Sequence, residues 1–343
     1  MNIKEIATKA GVSIGTVDRV LHNRGRVSKE TTEKILRIVR ESGYAPNKLA
    51  KRLKEGKLLK IGILLPALGS ELGYWQQVMN GVKEAEDELG GLGVEIESVF
   101  YDRDTPVSFI KALDELVDKN ISSYVTAPLL PDMMAKAKEK YPDIPFVFID
   151  SSLPSMNPVA DFAQDPVKAG KTAARMMNLI DPGIDKLFVI QTYRSAFNGE
   201  MRARSFIDYF VKYNQNAQIQ NMYVRSEDIV GHNLSAISFK SSERCGLFVV
   251  NDGAWKIADL LDEKGLLDQF TIIGFDLSPE NRERLERGKI HLIIGQRPFS
   301  QGYESVMFLY RKLALDFDQY TECLTVPIDV YLKENIPRAE LWR

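Results

Sequence analysis

Cysteine is nearly absent: Cys245 and Cys323 are the only two in 343 residues. They are far apart and lack metal-ligand spacing, so buried free thiols in a reducing compartment are expected rather than a disulfide framework or zinc site. Histidine is scarce too, and His22, His232 and His291 are scattered. No G-x-S-x-G motif, glycine-rich phosphate loop or metal-ligand cluster occurs, and no residue stands out as a general base. The expectation is no catalytic residue, no metal and no cofactor. No apolar run approaches the ~20 residues that span a bilayer, which argues against a membrane partner. The opening residues, MNIKEIATKAG, lack an apolar signal-peptide core and a small-residue cleavage site. A cytoplasmic protein is expected.

What is present is unevenly spread. The net charge of -2 conceals a cationic end: residues 1–60 hold 15 Lys and Arg against 6 Asp and Glu. The remaining residues hold 30 against 41. A basic end on an acidic body is the electrostatic footprint of a nucleic-acid-binding head, unless it is only a solvated tail. Apolar periodicity argues for a folded head. Asn2 with Glu5 resembles a capping box, after which Ile3, Ile6, Ala7 and Ala10 share a helical face. Gly11 can supply a left-handed turn, and Ser13 caps a second helix whose Val17, Val20 and Leu21 point back at the first. A third helix starts at Ser28, with Ile35, Leu36, Ile38 and Val39 as its apolar stripe and Gly43 as its stop. Three short helices around one core predict a helix-turn-helix domain. The second helix then turns Ile14, Gly15, Asp18, Arg19 and His22 outward, while Ser13 and Thr16 sit at its amide-rich N-terminus.

The stretches IKEIATKAGVSIGTVDRVLHNRGRVSKET and SGYAPNKLAKRLKEGK resemble the DNA-binding head and hinge of the LacI and purine-repressor family across residues 2–57. The resemblance implies that Ile14, Gly15 and Arg19 face bases, and that Asn2, Ser13, Thr16 and His22 face phosphates. Arg19 suits a bidentate contact to guanine O6 and N7. Asp18 departs from the family's usual serine; it either pairs with Arg19 or Arg24, accepts from cytosine N4, or turns away from the phosphates. In YAPNKLAKRLKEGK, Pro46 ends a helix and Asn47 can cap another, with Leu49, Ala50 and Leu53 on one face. Nine or so residues are too few for an isolated helix in water, so this one is expected to form only against a second copy and DNA. By the resemblance, two such hinges meet in the minor groove, with Leu53 as the wedge.

Beyond Lys60 the pattern changes. KIGILLP, VEIESVFY, SYVTA, PFVFID, LFVIQT, GLFVVND and TIIGFD are short apolar strands, in a set of some nine, separated by helix-length segments. Continuous apolar strands between helices predict parallel sheets covered on both faces. The expected fold is an α/β body of two doubly wound parallel-sheet lobes, periplasmic-binding-protein-like, behind the all-α head (1–46) and hinge (47–58). One lobe is placed at 59–160 plus 293–324, the other at 161–292 plus 325–343.

Ligands in open α/β sheets sit beyond the carboxyl ends of strands. Asp102, Asp150, Asn251, Asp252, Asp276 and Gln296 fall at such ends, and Arg202 opens a helix from which it could reach a cleft. These planar polar groups suit adjacent hydroxyls. Tyr74 and Trp75 could stack on an apolar sugar face, although Trp75 could equally be core or interface. An Asp or Asn at a strand end can also simply cap the next helix. The body resembles sugar-binding proteins and the effector domain of the same repressors. That resemblance implies effector contacts from Arg202, Asn251 or Asp252, Asp276 and Gln296. The expected partners are double-stranded DNA with a palindromic operator, a small-molecule effector of sugar type, and further copies of the chain as homodimer or tetramer. The competing reading is a sugar-binding protein with no DNA role.

Overall fold

Ile6, Ala7 and Ala10 lie on one face of a helix over Ile3–Ala10 (α1), and all three are buried. Gly11, at φ 70°, makes the left-handed exit that L side chains resist. A second helix spans Ile14–Leu21 (α2), and Ser13 Oγ accepts the Thr16 amide at 3.2 Å to cap it. Ser28 does the same for Thr31 at the start of Lys29–Ser42 (α3), also at 3.2 Å. Val17, Ile35 and Ile38 close the core against α1, flanked by Val20, Leu21 and Val39. Fully burying Val17 and Ile35 stabilises the head by about 1.5–3 kcal/mol each. Leu36, expected on the apolar stripe, is instead 38% exposed. It follows Ile35 directly, and one residue is a 100° rotation around a helix.

The structure is a computed structural model, and the residues it describes are 3–21, 25, 27–42, 58–69, 73–192, 197–224, 237–315 and 324–337. Asn2, His22, Ala50, Leu53 and all of the expected hinge helix but Leu58 lie outside them. The chain divides into two compact units, residues 1–57 and 58–343.

In the second unit, strands alternate with helices. The order is β1 (Leu59–Pro66), α4 (Tyr74–Leu89), β2 (Val94–Tyr101), α5 (Val107–Asp118), β3 (Ser123–Thr126), α6 (Pro131–Lys140), β4 (Phe146–Asp150) and β5 (Ala160–Ala163). There follow α7 (Pro166–Ile180), β6 (Lys186–Gln191), α8 (Phe197–Phe210), β7 (Gln218–Tyr223), β8 (Cys245–Val249), α9 (Ala254–Glu263), β9 (Phe270–Phe275), α10 (Pro279–Glu286) and β10 (Leu292–Gly295). The chain ends through α11 (Pro298–Leu315), β11 (Leu324–Thr325) and β12 (Asp329–Tyr331).

Two six-stranded sheets result, ordered β11-β5-β4-β3-β1-β2 and β12-β10-β9-β8-β6-β7. Among the described residues every strand pair is parallel except β10 with β12. The strands of β1, β3, β4, β8 and β9 are almost wholly buried, because helices cover both faces of each sheet. Separate apolar clusters fill the two sides of each sheet. Strand order reverses beside β1 and again beside β6, the places where loops part and leave a crevice.

The chain crosses between lobes after β5, after β10 and after β11. The first crossing was expected at 160, but β5 belongs whole to the first sheet through its pairing with β4. The second was expected at 293, yet Leu292–Ile294 pair with β9 and Ile293–Gly295 with β12, which keeps β10 in the second sheet. After that crossing α11 packs along α4. The approach is close: a Cβ on Gly81 would fall 1.9 Å from the Phe299 carbonyl oxygen, and one on Gly302 2.1 Å from that of Val78.

Candidate functional site

Two surfaces concern function, one in each unit. In the head, burial of Val17 fixes the rotation of α2 and leaves Ile14, Gly15 and Arg19 exposed. Ile14 is 44% exposed, a large apolar side chain held in solvent on a helix whose other side is core. Ser13 is exposed at the helix start, while Thr16 and Asp18 are half-buried. An amide-rich N-terminus beside an exposed arginine suits a phosphate-lined groove.

In the body, strand ends and helix starts from both lobes close around a narrow cleft of about 30 Å³. Seven of the nine expected residues line it: Tyr74, Asp150, Arg202, Asn251, Asp252, Asp276 and Gln296. Two do not. Trp75 is fully buried in the first-lobe core, edge-on to Tyr74 with ring centroids 4.9 Å apart. Asp102 is exposed and closes its own turn, accepting the Asp104 amide at 2.9 Å and the Thr105 hydroxyl at 2.7 Å. Those bonds, the Thr105 hydroxyl foremost, lower its pKa. It stabilises the loop ahead of α5 and does not cap that helix, whose N-cap is Pro106. Arg103, Leu129, Ser151, Phe197, Asn198 and Gly199 line the cleft without having been expected. Arg103 and Ser151 adjoin Asp102 and Asp150 in sequence, and Leu129 follows the end of β3.

Arg202 lies one turn into α8 and is 2% exposed. Its Nη2 donates to Gln296 Oε1 at 2.8 Å and its Nη1 to the Val250 carbonyl at 3.3 Å. The guanidinium carbon sits 3.8 Å from the centroid of the Phe275 ring, a cation–π contact inside the protein. Gln296 passes the interaction on, donating from Nε2 to Asp276 Oδ1 at 2.8 Å. Burial is the main cause that lifts the Asp276 carboxyl from 3.8 to about 6, with the Asp150 charge adding to it. Arg202 and Gln296 hold it down.

Asp252 is held asymmetrically. Its Oδ1 accepts from the Gly253 amide at 2.7 Å, the Ser278 hydroxyl at 2.9 Å and Asn281 Nδ2 at 2.7 Å. Its Oδ2 is buried and accepts no hydrogen bond, as is Asn251 Oδ1; Arg202 Nε is buried and donates none. Burial, then repulsion from Asp276, pushes the Asp252 carboxyl well above the ordinary carboxylate range. Buried polar atoms left unpaired cost about 1–3 kcal/mol each, so a ligand that completes them gains that much.

Asp150 and Asp276 end strands at equivalent places in the two sheets, and both adopt left-handed backbone, φ 63° and 62°. Asp tolerates that conformation better than most residues, and such positions gather at functional sites. The lobes meet here: Asn198 Nδ2 of α8 donates to the Asp150 carbonyl at 2.8 Å. Among the described residues no cluster of His, Cys, Asp and Glu could hold a metal ion. No helix among them is long and apolar enough to cross a membrane.

Residues 2–47 match the family described as bacterial regulatory proteins, lacI family, and residues 61–316 match the periplasmic binding protein domain. The HTH-type transcriptional regulator RegA of Clostridium saccharobutylicum is 37% identical over 86 residues, 25% of either chain. The ribose operon repressor of Lactococcus lactis is 28% identical over 209 residues, 60% of this chain and 59% of that one. The matches therefore span from a quarter to about three-fifths of these relatives' lengths. GanP, a glucose-galactose binding protein from Geobacillus stearothermophilus, superposes with a TM-score of 0.70 at 22% identity. That match covers 82% of this chain and 100% of GanP, and it concerns the fold. The chain therefore belongs to the periplasmic binding protein domain family over most of its length and carries ahead of it a domain of the lacI family of bacterial regulatory proteins.

Proposed function

We propose that the protein is a sequence-specific transcriptional repressor whose operator affinity is set by a carbohydrate held between the two lobes. The carrying observation is the α2 surface: a helix locked by Val17 with Ile14, Gly15 and Arg19 turned out to solvent. Arg19 reads guanine, and Ser13 and Thr16 position the helix on phosphates. Asn2 and His22 act with them, and in the hinge Ala50 faces the minor groove beside Leu53, which wedges between base steps. Two copies bind a palindrome, since protein two-fold symmetry matches operator symmetry. The protein acts in the cytoplasm, on DNA, and not as an enzyme.

The effector reading draws on the cleft's unpaired atoms, Asp252 Oδ2, Asn251 Oδ1 and Arg202 Nε. Two acceptors and one donor, already desolvated, suit neighbouring hydroxyls. Named relatives include a ribose operon repressor, and GanP binds glucose and galactose. The effector changes operator affinity only by its differential affinity for two lobe arrangements, commonly worth about 1–3 kcal/mol or 5–150-fold.

Titration of duplex DNA across a salt series tests the head. Log affinity should fall linearly with log salt, with a slope of about -0.9 for each phosphate neutralised. A flat response, or no attachment to any duplex at low ionic strength, refutes the proposal.

A further inference from the structure

Gly15 is the second residue of α2, and nothing inside the head requires a glycine there. Its backbone is helical, unlike that of the left-handed Gly11. A Cβ at this position would meet only Ser13 Oγ, at 3.7 Å, an ordinary van der Waals contact. Gly81 and Gly302 differ, since a Cβ on either would collide with a neighbouring helix backbone. Alanine would therefore fit at position 15 and would favour the helix, because glycine loses more backbone entropy on folding. The reason for a missing side chain lies outside the head.

At 100° per residue, Gly15 stands roughly 160° around α2 from the buried Val17, and Arg19 stands as far round the other way. The two flank the line of α2 farthest from the core. Ile14 adjoins them, 44% exposed. The outward face thus combines bare backbone, an aliphatic side chain held in solvent and an exposed guanidinium. The head also carries the chain's basic excess, 15 Lys and Arg against 6 Asp and Glu over residues 1–60, which complements duplex DNA. Of the groups that base pairs present in the major groove, only the thymine C5-methyl is apolar. Guanine, adenine and cytosine edges would lose hydrogen bonds to water against Ile14 and gain none. We propose that the start of α2 seats an operator thymine, its methyl against Ile14 in the space that the absent Gly15 side chain leaves open. This rests on the DNA-binding reading and adds which base that position selects.

The test uses the full chain and a duplex that the wild type selects from a randomised library. Deoxyuridine then replaces each thymine in turn, which removes only the methyl. At least one replacement in each half-site should weaken wild-type binding threefold or more. G15A should lose tenfold or more on the thymine duplex. On the duplex with deoxyuridine at that same position, it should recover to within threefold of the wild type. I14A should bind the two versions equally. Circular dichroism should show G15A melting no earlier than wild type, which separates a lost contact from a lost fold. Binding by G15A within twofold of wild type overturns the proposal. So does a loss that no deoxyuridine position relieves, an earlier melting of G15A, or a wild type indifferent to every replacement. Each of these leaves the DNA-binding reading standing, whereas a wild type that retains no duplex overturns both.

Discussion

Replacing Asp276 by Asn should make the protein more stable at neutral pH and worse at sensing its ligand. The carboxyl is 8% exposed and its pKa rises from 3.8 to about 6, chiefly through burial. Between those pH values the folded protein keeps a proton that the unfolded chain has released. Stability therefore falls as pH rises through that window, and above pH 6 the full penalty stands. A difference of roughly two pH units corresponds to about 3 kcal/mol. Asparagine removes that penalty and can still accept from Gln296 Nε2, now 2.8 Å from Asp276 Oδ1. Its new Nδ2–H group needs an acceptor, at a cost of about 1–2 kcal/mol if it finds a poor one. The expected net gain at pH 7.5 is about 1–2 kcal/mol, a rise in melting temperature of roughly 2–8 °C for a domain of this size. At pH 4, where the wild-type carboxyl is largely neutral in the folded state, the gain should turn into a loss of about 1 kcal/mol, the cost of the new N–H group alone. Urea unfolding at the two pH values, followed by tryptophan fluorescence, measures it. A variant less stable than wild type at pH 7.5, or a gain unchanged at pH 4, would refute the reasoning. The same variant should lose tenfold or more in effector affinity, the usual price of stabilising a site.

Gly170→Ala places a Cβ 2.2 Å from Ser205 Oγ and 2.4 Å from the Arg202 carbonyl oxygen. It should force α7 from α8, lower stability by about 1–3 kcal/mol in urea titration, and weaken effector binding because Arg202 moves. Arg19→Met should cost about 1–3 kcal/mol on the preferred operator and relax discrimination at a single base pair, read by binding to a set of single-substitution duplexes. Ser13→Ala should lower the stability of the head by about 0.5–2 kcal/mol, seen as an earlier helical melting transition.

The sheets were legible because buried parallel strands read as unbroken apolar runs, as in KIGILLP and TIIGFD. β7, QIQNMY, escaped notice because it is an edge strand, half-exposed along most of its length, and carries polar residues. β5, β11 and β12 are too short to show a period. At the cleft, the strand-end rule found Asp150, Asn251, Asp252, Asp276 and Gln296. It failed at Asp102, whose strand β2 is at the sheet edge, one place beyond the β1–β3 crevice. For Trp75 the core alternative holds rather than the stacking one: one step of helix phase separates it from its neighbour, so Tyr74 faces the cleft and Trp75 the core. Phe197 and Asn198 could not be read at all, since their role depends on which lobe α8 faces.

Gln301, 1% exposed on α11, accepts the Asp150 amide on Oε1 and donates from Nε2 to the Gln296 carbonyl, both at 2.6 Å. Gln296 in turn holds Arg202 and Asp276. One neutral amide thus splices the strand end of one lobe to the crossover serving the other. Asp150 and Arg202 are therefore linked through three hydrogen bonds that run along the polypeptide joining the halves.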